Sequence, residues 1–246
     1  MRLNRMLVFS LAMLLSAGFA GADFKVVQQH HQDGFSMMGQ EQPAADEEHV
    51  TWIGEGKLRM DQGSSSTIVD LDAQKMFIIK HDAKSYTAVD LPVDLSTLLP
   101  PGMGEQIMAM MQFDVTVTPS DETKKVGEWT AKRYDLKMTS AMMSMNSVLW
   151  ASNETPVDSK KYYDLYSKVM SLQPGMEDML AGLRTIDGYV VSQEATMSMK
   201  FMGETTVGSS DVVRSIEELD APAGTFAPPV DYTLEEFDFM AMMQDR

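Results

Sequence analysis

Apolar and polar residues alternate in short runs between Gly56 and Leu91, and polar turns interrupt the runs about every ten residues. The turns are centred near Gly63, Ala73 and Ala83. Turn signals at this spacing, between runs rich in β-branched, Met and aromatic residues, are typical of an antiparallel meander rather than of βαβ units. The stretch therefore predicts four short strands joined by three turns.

The middle strands of this meander are apolar on both faces. Successive residues of a strand point to opposite faces of the sheet, so Phe77 and Ile79 lie on one face and Met76 and Ile78 on the other. Exposed apolar patches beyond a few hundred Å² are rare in monomeric proteins. We therefore expect a helix, a returning sheet or a bound apolar ligand to cover the second face.

The same reasoning predicts strands on both sides of the meander, with a loop over Gly39–Glu48, where Gly, Gln, Pro and acidic residues cluster. The clearest pattern is a long half-buried strand that opens after Asp187-Gly188. The predicted strands are Phe24–Gln32, His49–Ile53, Phe113–Thr118, Trp129–Met138, Met145–Ala151, Tyr189–Phe201 and Thr205–Leu219.

Two stretches change from strand to helix periodicity. Residues 94–111 show leucines and methionines at helical spacing around a Pro-Pro-Gly break, and residues 159–184 show an apolar stripe that includes Tyr162 and Tyr166 before a break at Pro174-Gly175. We expect these helices to cover the sheet. Residues 234–243 are predicted to form a short acidic helix or to fray.

The order of elements predicts an α+β fold that is mainly β. We expect one strongly curved antiparallel sheet, a half-barrel, with a few helices covering its inner face. Residues 23–232 are predicted to form a single domain, since all-β units often reach this size, and residues 233–246 an acidic C-terminal tail.

The first 22 residues are typical of a secretory signal peptide. Arg2 and Arg5 precede an apolar run of about a dozen residues, and Ala20-Gly21-Ala22 matches an A-x-A cleavage signature. The run is too short for a spanning helix, which needs about 20 apolar residues. We expect cleavage near Ala22, a periplasmic or secreted product, and no stable membrane anchor.

Charge and cysteine content narrow the classes of function. Removing the leader takes away two arginines and no acids, which changes the net charge from −16 to −18. This charge argues against nucleic acid and anionic lipid surfaces as partners, since both attract Lys and Arg. The chain has no cysteine, so it has no disulfide, thiolate metal site or cysteine nucleophile.

Several runs of the sequence resemble a family of exported bacterial proteins that carry domain of unknown function 4412. The runs are WIGEGKLRMDQGSSSTIVDLDAQKMFIIKHDAKSYTAVDL, GEWTAKRYDLKM, VLWAS and GTFAPPVDYT. The resemblance extends over about residues 24–232 and implies export and a fold similar to the periplasmic lipoprotein carriers, a half-barrel closed by helices over an apolar cavity. It implies no activity and no catalytic residues.

Methionine is unusually abundant, with 24 residues in the chain and 21 after the leader. Thioethers are soft ligands that select Cu(I), and His30 and His31 lie close in sequence to Met37 and Met38. These four residues are the candidate ligands of a copper-handling protein. Methionine is also a flexible filler of irregular cores and apolar grooves, which is the alternative explanation.

The pattern favours a binding or carrier module for an apolar molecule, such as a lipid or an acylated protein. Its expected cavity is lined by apolar residues of the predicted strands: Met60, Met76, Ile78, Leu136, Met197, Met199 and Phe201. The alternatives are the copper-handling protein and an envelope sensor that acts through a protein partner without a small ligand.

Motifs of the common enzyme classes are missing from the sequence. It contains no G-x-S-x-G elbow, phosphate-binding loop, dinucleotide fingerprint or HExxH helix. A broad excess of acidic residues is usually a solvated surface rather than a catalytic carboxylate pair. We therefore expect neither an enzyme nor a bound cofactor.

Overall fold

Strands dominate the computed structural model, which describes residues 23–37, 40–92, 113–171, 177–199 and 205–236. Two helices occur within these ranges, α1 (Ser159–Ser171) and α2 (Glu177–Leu183). The strands are β1 (Phe24–Gln32), β2 (Phe35–Met37), β3 (Gln40–Gln42), β4 (Ala45–Gly54), β5 (Lys57–Gln62), β6 (Ser65–Asp70), β7 (Lys75–Lys80), β8 (Ser85–Asp90), β9 (Asp114–Val126), β10 (Trp129–Thr139), β11 (Met143–Ser152), β12 (Tyr189–Met199), β13 (Thr205–Glu218) and β14 (Thr233–Glu235).

Twelve of these strands form one sheet in the order β14-β8-β7-β6-β5-β4-β1-β13-β12-β11-β10-β9, and β2 pairs with β3 in a separate hairpin. The sheet is not closed into a barrel. Its neighbouring strands run antiparallel except β14, which pairs in parallel with β8. The prediction of a purely antiparallel sheet is therefore wrong at this edge, because the chain after β13 returns alongside β8, where the Thr233 amide donates to the Lys84 carbonyl.

The meander predicted between Gly56 and Leu91 is confirmed as β5 to β8, and the first predicted strand is confirmed as β1. Gly63 takes a φ of 54° at the first turn, in the left-handed region that suits glycine. The hairpin of β10 and β11 and the strand pair of β12 and β13 are also as predicted within the described residues. The alternation of apolar and polar residues, together with the turn residues, is sufficient to predict these elements.

The predicted loop over Gly39–Glu48 is wrong, since β3 and the first part of β4 occupy most of it. Register explains the difference. Residues 45–53 of β4 pair with the whole of β1, with Ala45 opposite Gln32 and Asp46 opposite His31. The backbone hydrogen bonds that β1 offers outweigh the low strand propensity of this acidic segment.

Helical periodicity over residues 159–184 is confirmed by α1 and α2, while the predicted helical stretch at 94–111 lies outside the described residues. Asp158 precedes α1 as its N-cap, because its carboxylate accepts hydrogen bonds from the amides of Lys160 and Lys161 at 3.1 and 3.2 Å. Residues 233–235, expected as tail or helix, form β14.

The two helices pack against one face of the sheet, here called the helix-side face. A Cβ on Gly182 of α2 would meet Val117 of β9 at 3.2 Å, so this helix lies directly on the strand. Tyr163 of α1 packs in one cluster with Leu136 and Leu149. The helix-side face carries Val26, Ile53, Leu58, Val69, Leu136 and Leu149.

The opposite face of the meander is covered in part by the segment 219–233, rather than by a helix. Arg59 donates from Nη1 to the Thr225 carbonyl at 2.9 Å, and His81 Nδ1 lies 3.0 Å from the Tyr232 hydroxyl. Ile68 and Ile79, which are on this face, are fully buried. A returning chain segment therefore covers the second apolar face of the meander, as the apolar residues on both faces of its middle strands led us to expect.

Gly188 connects the helical segment to β12 and has no room for a side chain. Its φ is +105°, and a Cβ would lie 2.6 Å from the backbone carbon of Ser152. Gly224 has a φ of +89° but nothing within 4 Å of its Cβ position.

We expect Gly224→Ala to lower the free energy of unfolding by about 1 kcal/mol and Gly188→Ala by about 3 kcal/mol, measured by urea denaturation. Equal losses would contradict the assigned backbone contact.

Candidate ligand cavity and histidine–aspartate cluster

A cavity of about 410 Å³ lies between the helix-side face and the two helices. Strands β9, β10 and β11 build its apolar side together with α2. Their side chains alternate, so every second residue of each strand faces the helices. The apolar residues on this side are Val115, Leu136, Met138, Met145, Leu149, Met179 and Leu183.

The other side of the cavity is polar, because it is built by strands from the middle of the sheet. Gln28 of β1, His49 of β4, Gln62 of β5 and Asp211 of β13 line it. These strands are adjacent in the order β5-β4-β1-β13. The cavity thus has an amphipathic lining, which is mainly apolar toward β9 and mainly polar toward β5, where Met60 is the exception.

Four tyrosines line the cavity, three from α1 and one from β12: Tyr162, Tyr163, Tyr166 and Tyr189. The Tyr162 ring is central, with its centroid 5.0 Å from that of Tyr189 and 6.0 Å from that of Tyr166. Burial raises the pKa of all four phenols above the usual value near 10. At neutral pH their hydroxyl groups are protonated and can donate hydrogen bonds.

The Tyr163 hydroxyl is the most informative of these groups. The residue is 9% exposed, and its oxygen has no hydrogen-bond partner among the described residues. By contrast, the hydroxyl of Tyr134, which is also buried, accepts a hydrogen bond from the Asp187 amide at 3.1 Å. An unpaired buried hydroxyl costs stability, so a polar atom of a bound molecule would be favourable beside Tyr163.

The polar side of the cavity contains a cluster of His30, His49 and Asp211. His30 Nδ1 lies 2.8 Å from Asp211 Oδ1, and the two imidazole rings stack with centroids 4.6 Å apart. One possible ligand atom from each of the three residues lies within 4.8 Å of the others. Glu47 Oε2 is 3.5 Å from His49 Nε2. Strand pairing creates the cluster, since His30 is opposite Asp211 and His49 is opposite Gln28.

Of the predicted lining residues, Met60 and Leu136 line this cavity. Four others share the helix-side face without contributing to the lining: Met76, Ile78, Met197 and Met199. Phe201 lies outside the described residues. Sequence reasoning missed Tyr163, because it lies outside the apolar helical stripe that includes Tyr162, Leu165 and Tyr166. A helix packed between a sheet and a second helix buries a wider arc than one stripe.

Two of the four predicted copper ligands, His30 and His31, point away from each other in the structure. His30 and His31 are consecutive in β1 and therefore point to opposite faces of the sheet. On the face opposite to His30, His31 Nδ1 lies 2.9 Å from Asp46 Oδ1. Met37 belongs to β2, and Met38 lies outside the described residues. His49 and Asp211, which do approach His30, follow from strand register rather than from proximity in the sequence.

A serine and a histidine on the opposite face resemble a nucleophile and its base. Ser66 Oγ lies 2.7 Å from His81 Nε2, and Ser66 also donates to Asp61. However, Ser66 is only 1% exposed, and His81 contacts Tyr232 from the covering segment. We interpret this network as an anchor for residues 219–233.

The opposite face also has a more open depression of about 700 Å³. Its lining is mostly polar, with Thr116, Thr118, Asn146, Thr196 and Ser210 among the residues. This composition is a poor match for an apolar ligand. The cavity beneath the helices is the better candidate for such a molecule.

No protein-family model and no curated protein matches the sequence, so the resemblance to the domain family stays a hypothesis. Neither described helix has the length and apolar character needed to cross a membrane.

We predict opposite effects on stability for two buried tyrosines. Tyr163→Phe removes an unpaired hydroxyl and is expected to raise the free energy of unfolding of ligand-free protein by about 1 kcal/mol. Tyr134→Phe removes a paired hydroxyl and is expected to lower it by about 1 kcal/mol. Urea denaturation of both variants checks this, and an equal loss in both would show that Tyr163 has a partner.

The raised tyrosine pKa values also predict a pH dependence. Above about pH 10 the unfolded chain loses phenol protons that the folded protein retains, so stability falls as pH rises. Each such group contributes a slope of about 1.4 kcal/mol per pH unit. We expect the free energy of unfolding of Tyr163→Phe to fall less steeply with pH than that of the parent protein, in urea denaturations from pH 9 to 11. Parallel curves would contradict a buried, protonated Tyr163.

Proposed function

We propose that the protein is an exported binding or carrier module for an apolar molecule with a polar head, such as a lipid or an acylated protein. The observation that carries the proposal is the cavity of about 410 Å³ between the sheet and the helices. Pockets for small molecules usually have volumes of about 300–1,000 Å³ and a mainly apolar lining with a few polar groups. The cavity has both properties.

The division of the lining supports an amphipathic ligand. An acyl chain would lie against Leu136, Met138 and Leu149, where each buried CH₂ contributes about 0.8 kcal/mol. A polar head would lie toward Gln28 and His49. The protonated Tyr163 hydroxyl is suited to donate to an ester, amide or carboxylate oxygen of the ligand.

Entry to the cavity would involve the helices in this proposal. The sheet would curve as a half-barrel around the ligand, with α1 and α2 as a lid over its inner face. The flexible thioethers of Met138, Met145 and Met179 line the cavity and could adapt to chains of different shape. The signal peptide of residues 1–22 would deliver the protein to the periplasm, where such carriers meet lipids and acylated proteins.

Native mass spectrometry of protein isolated from the cell envelope tests the proposal most directly. We expect a bound species with the mass of a lipid, released on denaturation and identified by its fragments. Delipidated protein should then bind palmitate or an acylated peptide in solution. Protein that carries no apolar molecule and binds neither probe would contradict the function.

A matched pair of methionines locates the ligand. Met145 and Met197 are partners across β11 and β12, and both are half-buried, but only Met145 lines the cavity. We expect Met145→Gln to weaken palmitate binding about tenfold, since an amide in the apolar wall costs about 1 to 2 kcal/mol to desolvate. Met197→Gln should change the affinity less than about twofold, measured by isothermal titration calorimetry. Equal effects would place the ligand elsewhere.

A further inference from the structure

We propose that His30, His49 and Asp211 form a binding site for a divalent transition-metal ion, with Zn²⁺ as the best-suited ion. The site differs from the sequence-predicted copper set, with which it shares only His30. It shares His49 with the polar end of the proposed lipid cavity, but Zn²⁺ binding does not require the lipid.

The chemistry of the three side chains supports this assignment. Two imidazoles and one carboxylate are the borderline and hard ligands that bind Zn²⁺ well, and a catalytic or open zinc site commonly uses three protein ligands. Soft thioethers are not required. Because His49 and Asp211 also line the cavity, a fourth position on the ion would be accessible from it.

Distances in the cluster are compatible with a small rearrangement. Zinc–ligand bonds of about 2.0–2.2 Å separate neighbouring donor atoms in a tetrahedral site by roughly 3.3 Å. His30 Nδ1 and Asp211 Oδ1 are 2.8 Å apart, bridged by a hydrogen bond, and the widest separation in the cluster is within 4.8 Å. Shifts of up to about 1.5 Å, achieved by tilting the stacked rings, would bring the three donors around one ion.

Burial and charge favour a cation at this position. The side chains of His30, His49 and Asp211 are 21%, 14% and 25% exposed, so they are partly shielded yet reachable from solvent. Glu47 Oε2 lies 3.5 Å from His49 Nε2 and adds a second carboxylate. It could act as a further ligand or orient the His49 ring by a hydrogen bond. The net charge of −16 attracts cations to the protein as a whole.

The strand pairing provides rigidity. Asp211 lies opposite His30 across β13 and β1, and the β1–β4 pair places His49 two residues away from the position opposite His30. Three adjacent strands of one sheet therefore hold the ligands. Sites on strands are positioned more accurately than sites on loops, which reduces the conformational cost of binding.

The test uses chelator-treated full-length protein titrated with Zn²⁺ by isothermal titration calorimetry. We expect a single Zn²⁺ to bind per chain, and His49→Gln and Asp211→Asn each to weaken the affinity by at least about tenfold. The matched control is His31→Asn, which changes the neighbouring histidine on the opposite face of β1 and should alter the affinity less than about twofold. Absence of Zn²⁺ binding, or an equal loss in His31→Asn, would overturn the proposal.

A spectroscopic readout on the unmodified chain keeps the test valid if a variant does not fold. Zn²⁺ should shift the imidazole resonances of His30 and His49 in NMR spectra, while those of His31 and His81 stay in place. Co²⁺ should give the intense visible bands of a four- or five-coordinate ion. Shifts confined to His31 or His81, or bands of octahedral Co²⁺ with water alone, would overturn the site. Palmitate binding tested separately distinguishes failure here from failure of the carrier function.

Discussion

The pairing of β1 with both β4 and β13 is the constraint on which the rest of the structure depends. β1 is the only strand that links the meander of β4 to β8 with the strands β9 to β13 within the described sheet. Val26 in its first half is fully buried, and each residue from Phe24 to Gln32 has a partner on both sides, with one register shift on the β13 side between Val27 and Gln28. This double pairing brings together chain segments about 180 residues apart, and the cavity exists because of it.

The pairing of β1 also explains which features of the fold can be predicted from the sequence and which cannot. Hairpins such as β10 and β11 follow from alternation and turn residues, because both strands and the turn lie within a short stretch. The approach of Asp211 to His30 cannot be derived locally, because β13 lies about 180 residues from β1 in the chain. The strand character of residues 45–48 depends on their pairing with residues 29–32 of β1, rather than on the composition of the segment itself. Tyr163 was missed because its burial depends on how two helices pack over the sheet.

The position of the polar cluster also follows from topology. The strands at the centre of a sheet are usually its most apolar part, yet His30, His49 and Asp211 lie there with partial exposure. Their mutual hydrogen bond and ring stacking make this burial tolerable. Polar groups that break the apolar pattern in the middle of a fold often mark a functional site, and the adjoining cavity is consistent with one.

The parallel strand β14 has a consequence for how copies of the protein meet one another. A free edge strand presents unpaired amide and carbonyl groups, which can template growth of the sheet from another molecule. Residues 233–235 occupy those groups on β8, while Pro119 interrupts the edge at β9. The described sheet therefore ends in a strand of only three residues at one edge and in a strand that contains proline at the other, and both features disfavour intermolecular strand addition.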